Sequence, residues 1–469
     1  MVSDVATQPP SRRVTSAEPA SALALAEDVL ERALRIGATE AEVLVTAGDS
    51  ALTRFANSEI HQNVAERSLT VSLRHIVGRR IAVVSTGKVD ADGLRSLVHR
   101  AASIARSCEE LEDWAGLPAP IDGAAGTVVG GTVTSWSDAT AEATPELRAE
   151  GVRAVIAAAD AAGVVAYGSF STAAETLAVA SSKGISAVQQ RTSSQLLTVA
   201  MAPDGGSGYA EEAAVDATTI DAVAIGRESA RKARSSANPV SVDPGDWPVV
   251  LEEYAVVDIL SMLGYVGFSA LAVQEERSFA EPGRRVGSDL VTIVDDASDP
   301  LTLPMAFDYE GVAKQRVVLI EDGICRDVVY DAQTAARAGR ASTGHGLPAP
   351  NPYGPFPLNM AMAAGGTPRE ELIGGLERGL LVTRFHYTNP VHPKLAIVTG
   401  MTRDGTFLVE HGEIVGPVRN LRFTQSYLAA LAAASAVSAE RRTLRGDFGG
   451  VVVPAVRIDS WTFTGATEH

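Results

Sequence analysis

His386 and His392 stand six residues apart in the stretch TRFHYTNPVHPKL, in a chain with eight histidines. Two close imidazoles can supply half of a metal site, because neutral imidazole is a common zinc ligand. A zinc hydrolase asks for more. It usually carries two histidines on one helix face with a glutamate directly after the first, and that glutamate is general base to the metal-bound water. No histidine here is followed by glutamate. The followers are Gln62, Ile76, Arg100, Gly346, Tyr387, Pro393 and Gly412, and His469 is the last residue. Pro390 and Pro393 place the His386/His392 pair in a loop rather than on a helix. A loop pair still needs a third ligand, such as His345 or an acid. The pair is therefore read as surface-type histidines.

Other chemistries are weaker still. There is no G-x-S-x-G elbow and no P-loop lysine. GTVVGGT is read as a flexible linker. VDDASDP supplies Asp295, Asp296 and Asp299, but without the spacing and central glycine of a calcium loop. Turn closure by aspartate explains it better. Cys108 and Cys325 have no histidine close in sequence and read as buried structural thiols.

One polar cluster keeps two readings. GMTRDGTFLVEHGEIVGPVRNLRF carries Arg403, Asp404, Arg419 and Arg422 among strand residues. Arg403-Asp404-Gly405 reads as a turn with a salt bridge. Arginines beside an exposed edge strand would equally suit a peptide's carboxylates and carbonyls. With His386 and His392, these four residues form the candidate contact set for a peptide or a partner.

The elements that must position these residues are legible in outline. Residues 1–20 are polar and Pro/Ser-rich without an apolar core, and read as a disordered tail rather than a signal peptide. A unit over 21–110 follows: a helix at 21–36, strands AEVLVTAGD, ALTRFANSEI, SLTVSLRH and RRIAVVST, then a helix with an Asp cap. A unit over 111–240 opens with a Gly/Ala/Thr/Pro linker at 116–144. Thr144-Pro145-Glu146 then starts a helix. Strand-like segments VVAYGSFST, ETLAVASS, ISAVQQRT and SQLLTVAM follow, and a helix near 218–235 closes the unit. Beyond NPVSVDPGDWPVVL, residues 241–469 are rich in short strands, with hairpins at Asp322-Gly323 and His411-Gly412 and a helix opened by Thr367-Pro368-Arg369-Glu370. The whole reads as α+β: N-terminal α/β units with mixed meander sheets, then a large, mostly antiparallel sheet or barrel-like domain.

Bulk properties narrow the function classes. A chain of 469 residues holds two or three domains, and 46% hydrophobic with 21% charged residues is ordinary for a globular protein. A net charge of −17 argues against a phosphate-binding surface, so no nucleic-acid partner is expected. Two cysteines make no disulfide framework and fit a reducing cytoplasm. No apolar run reaches the roughly 18 residues of a membrane span.

In its segments and their order the chain resembles the TldD/PmbA family, also called modulators of DNA gyrase. The stretches that carry the resemblance are FANSEIHQNVAERSLTVSLRHIVGRRIAVVST, FDYEGVAKQRVVLIEDGICRDVVYDAQTAARAG, GLLVTRFHYTNP and GTFLVEHGEIVGPVRNLRF. The resemblance implies two kinds of subunit. One has H-E-x-x-x-H and a C-terminal cysteine, holds zinc and is a peptidase. The other, PmbA-like or TldE-like, lacks these groups and pairs with the first. The helix equivalent to the zinc helix is EEYAVVDILSMLGYVGFSA. Its ligand, base and ligand positions fall on Ser261, Met262 and Val266, or, shifted by one, on Leu260, Ser261 and Tyr265. Neither register offers a zinc ligand set, and no cysteine follows Cys325. The resemblance thus implies a cytoplasmic, metal-free subunit, inactive alone. Its expected partners are a zinc-bearing TldD-like homologue, or itself, and an unfolded peptide. The competing readings are a homodimeric peptide-binding module, and a peptidase with an unrecognised site, for example a metal on His345, His386 and His392.

Overall fold

A computed structural model describes residues 18–120, 134–446 and 449–467. The GTVVGGT linker and residues 1–17 of the tail lie outside the described residues. The tail's last two residues belong to the first helix, α1 (Pro19–Arg35), where proline stands at the first turn. Ala22, Ala26, Val29 and Ala33 form its buried stripe, at helical spacing. β1 (Glu40–Ala56), β2 (Glu59–Val77), β3 (Arg80–Thr86) and α2 (Ala91–Ser107) follow. Asp90 caps α2, accepting from the Gly93 N–H at 2.7 Å. The next elements are α3 (Asp138–Ala141), α4 (Pro145–Ala161), β4 (Val165–Ser181), β5 (Ser186–Met201), β6 (Ser207–Ala214) and α5 (Ala222–Ser235). As expected, Thr144 caps α4, accepting from the Leu147 N–H at 3.3 Å.

The strands are fewer and longer than their sequence reading. AEVLVTAGD and the start of ALTRFANSEI form one strand, β1. ALTRFANSEI itself is no single strand, for it reverses at Asn57 (φ 52°) and Ser58 (φ 58°). Two left-handed residues match the twist of a two-residue hairpin, and asparagine tolerates that region. β4 and β5 likewise each join two segments that the sequence pattern separates. The six strands make one antiparallel sheet in the order β3-β2-β1-β4-β5-β6. β1 pairs with β4 from Glu42↔Ser181 to Phe55↔Gly168. The stretches 21–110 and 111–240 therefore share a sheet.

The C-terminal body begins with β7 (Gly245–Leu251), α6 (Glu253–Val266), α7 (Ala270–Gln274), β8 (Ile293–Asp295), β9 (Val317–Glu321), β10 (Ile324–Cys325), α8 (Ala332–Arg337), β11 (Met360–Met362) and α9 (Arg369–Gly374). It continues with β12 (Arg378–His392), β13 (Ile397–Glu410), β14 (Glu413–Pro417), β15 (Leu421–Ser426), α10 (Tyr427–Ala432), β16 (Ala434–Arg445) and β17 (Gly450–Ala466). Both expected hairpin turns are present, with Asp322-Gly323 and His411-Gly412 all at positive φ. The sheet is mostly antiparallel, with β7–β12 and β11–β17 parallel. β17 pairs with β15 and also with β7, so β7, β12, β13, β15 and β17 close into a ring. Closure removes the edges of those strands. Phe385, Phe423, Tyr427 and Trp461 fill the ring's core, with Phe385 4.7 Å from Phe423 and 4.8 Å from Trp461 between centroids. α6 packs against β12 and β17.

Candidate functional site

α6 leaves the ring at a buried ionic network. Arg369 of α9 grips both oxygens of Glu253, at 2.8 and 3.0 Å, and one of Glu252 at 3.0 Å. Lys232 of α5 reaches the other Glu252 oxygen and Glu228, which in turn takes Arg442 of β16. Burial opposes the Glu252 charge, but Lys232 and Arg369 outweigh it and hold the carboxyl below its usual value. Burial acts the same way on Glu228 and is again outweighed, by Lys232 and Arg442, so this carboxyl sits at about 2. Acids at a helix N-terminus also complement its dipole. Further along α6, Asp258 accepts from Thr388 of β12 and Tyr427 of α10, both at 2.7 Å. The acids of α6 thus tie the helix to its surroundings.

The candidate contact residues are placed differently from their sequence reading. His386 and His392 are not in a loop. They lie on β12, whose pairing with β13 persists through irregularities at Val382/Arg384, His386/Asn389 and Pro390/His392. Bulges absorb the prolines without ending the strand. His392 is exposed and His386 half-buried. Burial, then the Arg403 and Arg384 guanidiniums, lower the His386 pKa. Arg403-Asp404-Gly405 is not a chain reversal either. It is an irregular step inside β13, with Asp404 at φ 57° and Gly405 at φ 120°. Asp404 is buried and accepts from Arg384 Nε at 2.6 Å. The Arg384 guanidinium lies 4.4 Å from the Tyr209 ring centroid, a cation–π contact joining the ring to β6.

The arginines do not flank an exposed edge. Arg422 is on β15, held between β13 and β17. His386 and Arg422 oppose Met401 from its two sides, and Arg403 lies two residues along the same strand. Partners in register share a face, so His386, Arg403 and Arg422 come together on one outer face of the ring. Arg419 does not join them: its N–H donates to the Val240 carbonyl at 2.9 Å, beyond β14. His392 lies at the far end of β12.

Residues 244–465 match the family model described as PmbA/TldA metallopeptidase C-terminal domain, and residues 41–105 match PmbA/TldA metallopeptidase domain 1. The chain belongs to the PmbA/TldD family. An uncharacterised protein of Methanocaldococcus jannaschii is 36% identical over 100 residues, which cover 21% of this chain and 24% of that one. A metalloprotease TldD homologue of Haemophilus influenzae is 28% identical over 266 residues, 52% of this chain and 54% of its own length. The chain thus spans about a quarter and about half of these two curated relatives. The crystal structure of TldE from Thermococcus kodakarensis superposes with a TM-score of 0.85 at 21% identity, covering 94% of this chain and 100% of that one. That is agreement in fold.

Membership in a metallopeptidase-related family raises the question of zinc, and the residues of α6 do not fit it. Leu260 and Val266 are buried apolar side chains, and Met262 packs against the same core. Ser261 is half-buried, and Tyr265 turns outward, 46% exposed. Hydrocarbon, thioether and neutral hydroxyls do not make a zinc ligand set. Among the described residues no group of three or more His, Cys, Asp or Glu is placed to hold a metal ion. The combination His345, His386 and His392 is not assembled. His345 is wholly buried, with Nδ1 2.9 Å from Thr343 Oγ1 and Nε2 2.8 Å from Asp295 Oδ1.

That histidine belongs to a cluster which sequence reasoning missed. Asp296 and Asp299 do close turns, accepting from Ser298 and Leu301 N–H groups at 2.9 Å. Asp295 does not. It ends β8 with no exposure and takes His345, Lys314 at 3.0 Å and the Asn359 N–H at 2.7 Å. Burial opposes its charge, yet Lys314 and His345 hold it far below the usual range. Burial, then Lys314, lower His345, which favours a neutral ring. Nearby, burial pushes Glu310 up to about 8. It also raises Asp308 to about 7, against three backbone N–H donors at 2.6 to 2.9 Å. Arg74 of β2 joins Glu310 to Glu42 of β1, tying the N-terminal sheet to the C-terminal body. Only the crowding of Asp and Glu near His345 hinted at this. Burial, which decides it, is not a local property of sequence.

Proposed function

We propose that this chain is the metal-free subunit of a two-subunit zinc peptidase of its family, acting in the cytoplasm on unfolded peptides or peptide precursors. One observation carries the reading. The helix that the family resemblance makes equivalent to the zinc helix presents Leu260, Ser261, Met262, Tyr265 and Val266 at the ligand and base positions. Its acids Glu252, Glu253 and Asp258 are engaged by Arg369, Lys232, Thr388 and Tyr427. A zinc-bound water is the nucleophile in such chemistry, and this helix has nothing to hold it. The chain's contribution is shape: it completes a chamber that positions an extended peptide at the partner's metal. The ring face with His386, Arg403 and Arg422 suits the carbonyls and carboxylates of that peptide.

The test is co-expression with a zinc-bearing homologue, followed by sizing and a peptidase assay. Alone, the chain should leave an unfolded peptide intact and carry no stoichiometric transition metal. The mixture should cleave faster than the homologue alone, and a chelator should abolish that activity. Cleavage by the purified chain alone, resistant to chelator, would overturn the reading in favour of an unrecognised site. Peptide binding without any stimulation of a homologue would favour a self-sufficient binding module.

A further inference from the structure

A cavity of about 270 Å³ opens where the C-terminal end of α6 meets the tip of β12. Its walls are mainly apolar, built from Tyr265, Leu347, Tyr353 and Phe356. Pro390 and Pro393 close the β12 side. Two polar groups break this lining. Arg277 lies at the wall with its Nε donating to Glu275 at 2.6 Å, while its Nη groups have no partner among the described residues. Ser269 is 3% exposed, and its buried Oγ has no hydrogen-bond partner among the described residues.

A buried hydroxyl without a partner costs about 1–3 kcal/mol, so native proteins rarely keep one idle. The backbone near it is shaped to a tight tolerance. Gly354 has φ 76°, and a Cβ there would stand 2.5 Å from Leu271 Cβ and 3.1 Å from Ser269 Oγ. A hydroxyl donor and a guanidinium beside an apolar cavity are complementary to a carboxylate that carries an apolar side chain. β12 carries more apolar surface near the cavity. On this same strand two further apolar side chains are exposed: Val391, 58% exposed, and Tyr387, 75% exposed and held at φ 54°. A non-glycine residue with positive φ on a strand is strained, and such strain gathers at functional positions. A rim of this length suits several residues of a chain rather than a small free acid.

We propose that this cavity binds the C-terminal residue of a peptide with an apolar side chain. The terminal carboxylate accepts from Arg277 and Ser269, the side chain fills the space between Tyr265, Tyr353 and Phe356, and the preceding residues run over Val391 and Tyr387. The inference rests on the peptide-handling reading above and names the part of the peptide that this subunit holds. It also gives a role to Tyr265, which stands at a ligand position in the shifted register and here forms a wall.

The experiment uses the purified full chain and fluorescence anisotropy. The probes are a fluorescein-labelled oligoalanine ending in leucine as the free acid, and the same peptide as its C-terminal amide. The acid should bind at least about tenfold more tightly, as expected for charge-assisted hydrogen bonds. Arg277→Gln and Ser269→Ala should each bring the acid toward the amide, and Tyr353→Ala should weaken both. Arg277 and Tyr353 are partly or largely exposed, so these variants should fold. Equal binding of acid and amide, absence of saturable binding, or an acid preference untouched by Arg277→Gln would each overturn the proposal. No zinc-bearing homologue is present in this measurement. A chain that fails it but still stimulates a homologue loses the cavity and keeps the partner role, whereas one that passes it without stimulating keeps the cavity alone.

Discussion

His345 and Asp295 form a hydrogen bond of 2.8 Å in which neither side chain has any exposure. The pair reads Asp295 from β8 and His345 from a loop 50 residues later, with Lys314 as the third member. Asp295 is the carboxylate in direct contact with Lys314 and its largest counter-charge, so its removal leaves a buried cation poorly compensated. Breaking a buried pair in this way costs about 3–5 kcal/mol, while removing both charges is far cheaper. Asp295→Asn should therefore lower the urea midpoint sharply, and the double variant Asp295→Asn with Lys314→Met should recover part of the loss. Equal losses in the single and double variants would show that the charge pair is not what matters.

Glu310 gives the fold a pH dependence whose sign can be worked out. Burial, and then the neighbouring Asp308 carboxyl, raise its folded pKa above the ordinary 4.5 against the pull of Arg74. A raised carboxyl favours the protonated form in the fold. Its contribution is fully present below about pH 4.5 and is lost as pH rises toward about 8, because the folded state then binds more protons than the unfolded one. Glu310→Gln should flatten the stability profile between pH 5 and 8, and should gain on the wild type at the alkaline end. Urea melts at three pH values measure this. Parallel profiles for the two proteins would exclude Glu310 as the source.

His345 acts in the opposite sense. Its pKa is lowered by burial and by Lys314. The unfolded state therefore takes up a proton near pH 6.5 before the folded state does, and stability falls as pH falls through that point. His345→Gln should reduce the loss between pH 7 and 5 relative to its own value at pH 7. A loss of unchanged size would assign the acid sensitivity elsewhere.

Asp404 and its neighbour Arg403 should separate cleanly by experiment. Asp404 is buried against Arg384 at φ 57°. Asp404→Ala removes the partner of a half-buried guanidinium and should cost about 2–3 kcal/mol. Arg403 and Arg422 are exposed, so Arg403→Ala and Arg422→Ala should stay within about 0.5 kcal/mol of wild type in stability. Both should slow peptide turnover by the complex with a zinc-bearing homologue. Turnover unchanged by either arginine variant would remove the ring face from the peptide path.

The aromatic core of the ring offers a stability control. Phe423 is fully buried, 4.7 Å from Phe385 and 5.2 Å from Trp461 between centroids. Phe423→Ala should cost about 3–5 kcal/mol through lost burial and the cavity it leaves. A much smaller loss would mean that neighbouring side chains collapse into the space.

What the sequence determined by itself is what short-range chemistry controls. Asp90 and Thr144 announce helix starts because an oxygen side chain there meets N–H groups two or three residues on. Asp322-Gly323 and His411-Gly412 announce hairpins because both residues must adopt positive φ. Leu260, Ser261, Met262, Tyr265 and Val266 include none of the His, Cys, Asp or Glu side chains that ordinarily bind zinc, and side-chain identity is legible without any tertiary structure. Tertiary structure decided the rest. No local signal could tell that β1 pairs with β4 across more than a hundred residues, or that β17 meets β7 and closes a ring. Asp295, Asp296 and Asp299 look alike in VDDASDP, yet burial against Lys314 and His345 separates the first from the other two. Prolines around His386 and His392 suggested a loop because local rules cannot foresee the β13 partner that holds β12 extended. The cavity beside Tyr265 unites residues from 265 to 393, and packing alone brings Ser269 and Arg277 into one lining.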